Sequence, residues 1–207
     1  MNDFSNNTFE QIGLYAIYTP AAQVSKLDAT STFNGSDVFV FSSTLNESAE
    51  VVWDAFDDGT AYHIDGRIDI ESGLKITEGA VFKFAQTGEF YVASSGYLMA
   101  EGTAGNIISF IPAEDGVPWM GIGFSSNSSK NNMNYTEVSQ AGFDNLAYLG
   151  QKAAVAVHDN DRLTLTNSNI HDSEGYGVFA GSGATVNDIL TAGNTFSGNI
   201  LADLQIE

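Results

Sequence analysis

The sequence predicts an all-β chain wound as a solenoid, a stack of coils made of short strands. Three observations point there. Apolar and polar residues alternate in runs of about four to eight along nearly the whole chain, the period of a strand with one buried face. The runs break at Gly, Asn or Ser, and the chain holds 21 glycines against three prolines, which suits repeated tight turns. The runs also resemble one another at recurring intervals, as repeat architectures require.

Taken in order, strands are expected at 14–19 (LYAIYT), 37–42 (DVFVFS), 50–56 (EVVWDAF) and 61–72 (AYHIDGRIDIES). The alternation continues through 73–85, 89–102 and 106–111, each segment closing on a small-residue turn. Further strands are expected at 119–124, 132–139, 153–158, 162–170 and 176–181. No window of a dozen residues sustains an apolar helical face, and the best helical turn lies near 187–190. The chain reads as one domain over 1–207, with longer loops in the coils of 1–60 and regular coils over 61–207.

The repeats carry more than the single strands do. "LKITEGAVFKF" at 74–84 and "FYVASSGYLMA" at 90–100 share two apolar alternations, a turn ending in Gly or close to it, and two more alternations, about 17 residues apart. Near the C-terminus Ile170 and Phe196 each follow an Asn-containing turn, with Val178 and Leu204 eight residues later, a period of 26. Residues near Phe4 and Phe33 match those near Ile170 and Phe196 at offsets of 166 and 163, which predicts a segment of a larger, internally duplicated protein. Asn134, Asn169 and Asn194 are candidates for a side-chain ladder, since equivalent turns of stacked coils lie one strand spacing apart, roughly 4.8 Å.

One run has a recognisable form. Gly96, Leu98, Ala100, Gly102, Thr103, Gly105, Asn106, Ile108 and Phe110 are followed by Trp119, Gly121 and Ile122, then by Tyr135, Val138, Ala141 and Gly142. This resembles the repeat of the right-handed parallel β-helix proteins secreted or displayed by bacteria. The resemblance covers about 61–207 and implies that fold, with an extracellular or cell-surface location. It implies little about activity, because the fold carries lyases, hydrolases, epimerases and adhesins.

Composition excludes several functions. A formal charge of −19 repels phosphate backbones and anionic lipids, so neither nucleic acid nor a membrane surface is an expected partner. No run approaches the roughly 20 apolar residues that span a bilayer. No cysteine is present, which removes disulfides, thiolate metal sites and Cys nucleophiles.

The segments that mark pectin-type hydrolases of the resembled fold are missing, and only Arg67 and Arg162 could hold a substrate carboxylate as its lyases do, so no catalytic set is assigned. The acidic turn at Asp54, Asp57 and Asp58 places Phe56 where a calcium loop needs an oxygen. Asp159 and Asp161, two apart in an extended turn flanked by His158, are the candidate metal ligands, with Ca²⁺ as the cation. Trp119 is expected to cover part of the core at the start of a coil, or else to offer a sugar-stacking platform, and is the ligand-binding candidate.

Two functional classes follow. The first is a non-catalytic rigid module, serving as scaffold, adhesion or carbohydrate-binding segment, with polysaccharide, another surface protein or its own exposed end coils as partner. The second is a carbohydrate-active enzyme drawing on Asp65, Asp69, Asp159, Asp161 and Asp172.

Overall fold

The computed structural model describes residues 4–146 and 149–207, and over these the chain is all-β with parallel strand pairing. The helix present among the described residues is a single turn, α1 (Ala21–Val24), entered from Pro20. The best helical candidate, at 187–190, forms no helix, and residues 189–193 lie in turns. The Asn187 side chain accepts from the Leu165 N–H (2.8 Å) and donates to the Leu165 carbonyl (2.9 Å), which ties it to the neighbouring strand.

Strands β1 (Tyr15–Pro20), β2 (Asp37–Leu45) and β3 (Val51–Trp53) precede the long strand β4 (Tyr62–Ile70). From there the strands come in threes. The first set is β5 (Gly73–Ile76), β6 (Val81–Phe84) and β7 (Glu89–Val92). The next sets are β8 (Tyr97–Glu101), β9 (Ile108–Pro112) and β10 (Gly121–Phe124), then β11 (Asn132–Asn134), β12 (Thr136–Ser139) and β13 (Ala153–Val157). The last are β14 (Arg162–Thr166), β15 (Asn169–His171) and β16 (Tyr176–Ala180), then β17 (Thr185–Val186), β18 (Thr195–Ser197) and β19 (Leu204–Ile206).

From β7 onward each strand pairs in parallel with those three places before and after it, while β5 and β6 pair backwards with β3 and β4 and forwards with β8 and β9. This gives three rows of strands: β3-β5-β8-β11-β14-β17, β6-β9-β12-β15-β18 and β7-β10-β13-β16-β19. Strand β4 joins the second and third rows, because residues 62–64 pair with β6 and residues 67–70 with β7. The corner between them is Gly66, at φ +82°, where a Cβ would also stand 2.9 Å from the Ser42 Cβ.

The register stacks like on like. Tyr62, Phe82, Phe110, Val138, Ile170 and Phe196 form one inward row. Ile68, Phe90, Ile122, Val155, Val178 and Leu204 form another. The 26-residue period holds, since Ile170 faces Phe196 and Val178 faces Leu204. The 17-residue match does not describe stacking: Leu74 lies opposite Leu98, one full set of three strands later. Strand pairs within a set look alike because both bury alternate residues in the same core, so the sequence match steps two strands instead of three.

Two surfaces of the third row are covered. Strand β13, "AAVAV", is buried at every residue, because Leu146, Leu149 and Met120 pack with Ala153, Ala156 and Phe179 on its outer side. Gly123 belongs to that arrangement, for a Cβ there would lie 2.9 Å from Leu149 Cδ1. The proposed asparagine ladder is not formed. Asn134 lies on β11 and bonds Thr166 and Asn167, whereas Asn169 lies on β15 in a different row and accepts from Thr195. No helix among the described residues is long and apolar enough to cross a membrane.

Candidate functional site

Strands β1, β2, β4 and β6 lie side by side, and their outward residues fall into register: Tyr18 faces Phe39, Phe39 faces His63, and His63 faces Lys83. A register shift between Tyr15 and Ile17 brings Tyr15 to the same side. The rings then touch. Tyr18 and Tyr15 each lie 4.8 Å from Phe39, Phe39 lies 5.3 Å from His63, and Tyr15 lies 4.9 Å from His63. Phe39 and His63 turn their faces toward each other at 17°, so most open ring surface belongs to the flanking residues, Tyr18 (63 % exposed) and Phe41 (43 %).

Polar groups frame the rings. The Tyr15 hydroxyl stands 3.2 Å from His63 Nε2. Lys83 Nζ bonds both oxygens of Asp37, at 2.9 and 3.2 Å. Asp65 sits opposite Phe41 in register and accepts from Thr87 Oγ1 at 3.2 Å. Burial first, then Tyr18 and the charges of Asp37 and Asp65, raise the Tyr15 phenol above its ordinary pKa. Burial holds His63 below the usual imidazole value, against the pull of both aspartates. At neutral pH the phenol is therefore protonated and the imidazole neutral, and the imidazole tautomer sets which of the two donates.

The residues nominated from sequence are placed differently. Trp119 is fully buried, stacked 3.9 Å from Phe84 at 11°, and its Nε1–H donates to the Ser139 carbonyl at 2.8 Å. It has no ring surface to offer a sugar and leaves the ligand-binding set, because the ring is packed into the core against Phe84. Asp159 and Asp161 share the turn before β14, but Asp159 Oδ1 accepts from the Ser182 N–H (2.9 Å) and Asp161 faces His158 at 3.8 Å. Among the described residues no group of three or more His, Asp or Glu could hold a metal ion.

Asp69 pairs with Arg67, whose guanidinium also lies 4.4 Å over the Tyr91 ring. Only Asp65 of the five nominated aspartates belongs to the aromatic cluster. Tyr15, Asp37, Phe39 and Lys83 were not singled out from the sequence. The signal available was the spacing of Tyr15, Phe39 and His63, each 24 residues from the next.

Asp172 belongs to a second polar group, where His171 contacts Asp172 (2.7 Å) and Glu137 (3.1 Å). Burial lowers the His171 pKa, but the hydrogen bonds and charges of Asp172 and Glu137 outweigh it and leave the value raised. A raised imidazole stabilises the fold fully below its unfolded pKa of about 6.5, and that contribution disappears as pH climbs through the folded value. Against His171→Asn, the wild type is thus expected to lose on the order of 1 kcal/mol or less between about pH 6 and pH 9. Urea unfolding of both proteins across that window checks it, and identical pH profiles would refute it.

No known family model, curated protein or solved structure matches the chain.

Proposed function

We propose that the chain is a right-handed parallel β-helix module of an extracellular or cell-surface protein, non-catalytic and rigid, that binds a glycan on the outer face of β1, β2 and β4. The winding reading is supported by three-strand sets in register around one core and by the repeat resemblance. The binding reading rests on one observation: exposed Tyr18 and Phe41 border a packed aromatic group that is edged by Asp37, Asp65 and a Tyr–His pair. Sugars are amphipathic, and such a face supplies apolar ring surface beside hydrogen-bonding groups. A core packed across successive sets also gives the stiffness a display module needs.

Replacing Tyr18 and Phe41 together by Ala is expected to weaken glycan binding at least about tenfold, some 1.4 kcal/mol, without lowering the melting temperature. Titration against a polysaccharide panel reads this out. Unchanged affinity in the double variant would remove the face from the reading.

A second reading, a carbohydrate-active enzyme of the same fold, is favoured by the Tyr15–His63 hydrogen bond beside two aspartates, a proton donor next to a proton acceptor. It requires new reducing ends on incubation with polysaccharide and their loss in Tyr15→Phe.

A further inference from the structure

Resting on the glycan-binding reading, we infer that the sugar recognised on this face carries a free amine: the ligand is a polymer of unacetylated amino sugars, held by Asp65 beside Phe41. The charges around the rings are unequal in their commitments. Lys83, the cation of the cluster, is held by both oxygens of Asp37. Asp65 is exposed and accepts one described hydrogen bond, from Thr87 Oγ1. Opposite it in register stands Phe41, with 43 % of its surface open.

An ammonium group gains from both neighbours at once, the carboxylate by charge and the ring by its negative face. The pyranose C–H face finds the remaining apolar surface of Phe41 and Tyr18. A uronate or sulfated sugar would meet Asp65 and a chain of net charge −19, with Lys83 already engaged. A neutral sugar would lose nothing but would leave Asp65 without a cationic partner. Selection by charge at one position is the form of specificity this face can exert.

The test compares oligomers of glucosamine with N-acetylglucosamine oligomers of equal length, plus galacturonate oligomers, by calorimetric titration at one fixed salt concentration. Glucosamine oligomers should bind about three- to tenfold tighter than their acetylated forms, the range of an exposed ion pair plus a cation–π contact. Asp65→Asn should reduce that ratio to near one. Glu78→Gln, which removes the same charge from the turn between β5 and β6, should leave it intact. A ratio that survives in Asp65→Asn, or falls equally in Glu78→Gln, would assign the preference to the overall field and overturn the inference. Galacturonate bound as tightly as glucosamine would overturn it as well, with the glycan-binding face still standing. Binding of none of the three would remove the face and the inference together.

Discussion

Phe82→Ala should lower the melting temperature by roughly 6–20 °C, the consequence of losing about 3–5 kcal/mol from a chain of this size. Phe82 has no exposed surface and lies at the centre of the aromatic part of the core. It is stacked between its register partners, 5.1 Å from Tyr62 and 5.3 Å from Phe110, and meets Phe90 edge-on at 5.6 Å. Trp53 closes the group from the first row at 6.0 Å. Removing the ring leaves a cavity bounded by other rings, which are rigid and cannot collapse into it.

Phe82→Leu should recover most of the loss, because it restores volume without the stacking. In a repeat chain the damage spreads only through neighbours, so hydrogen exchange should accelerate first at β4, β6 and β9. A Phe82→Ala protein that melts within about 2 °C of wild type would mean that these stacks do not hold the core together.

How far such contacts can be read from sequence depends on which period decides them. Strand existence depends on a period of two, and the alternation at 37–42 and 61–72 gave β2 and β4 close to their observed places, while 162–170, expected as one strand, is divided into β14 and β15 by a corner at 167–168. Stacking depends on the number of residues per set of three strands, which ranges from 20 (Tyr62 to Phe82) to 33 (Ile122 to Val155) as loops lengthen. No fixed period can therefore be laid along the chain. The 26-residue step succeeded because Ile170 to Val178 and Phe196 to Leu204 have the same spacing, and the 17-residue step failed because it aligned β5 with β7.

The same loss of register hid the candidate site. Asp159 and Asp161 are near in sequence and were visible, but Asp159 serves the next turn through the Ser182 N–H. The aromatic group instead joins residues 15 to 83 and needs the register shift after Tyr15 to form. His63 is half-buried and forms one side of the cluster. Trp119 takes the core-covering place that was the first of its two readings, and Gly121 and Gly123 beyond it are small because backbone and Leu149 press on them from outside.

Asn131→Ala should cost about 3 kcal/mol or more, a large effect for a polar residue in a turn. Asn131 is almost wholly buried, immediately before β11, with the sets on either side within its reach. Its Oδ1 accepts from the Leu98 N–H at 3.1 Å, in the preceding set. Its Nδ2 donates to the Ser126 carbonyl at 2.8 Å and to the Arg162 carbonyl at 3.1 Å, in the following one. Alanine would strand the Leu98 N–H and the Arg162 carbonyl away from water, each worth about 1–3 kcal/mol when a buried partner is lost, and would leave the Ser126 carbonyl only its bond from the Arg162 N–H.

Asn131→Asp separates the contributions. It keeps an acceptor for Leu98 but sets a carboxylate against two carbonyls, so it should be no more stable than alanine. Asn187 makes the same kind of link to Leu165, through both its backbone groups, but is only half-buried. Water can replace a partner there, and Asn187→Ala should cost about 1 kcal/mol. Chemical unfolding of the three variants, with hydrogen exchange followed at the Leu98 amide, measures this. Equal losses at Asn131 and Asn187 would show that burial does not set the strength of these links, and an unchanged Leu98 amide in Asn131→Ala would show that the link is not made.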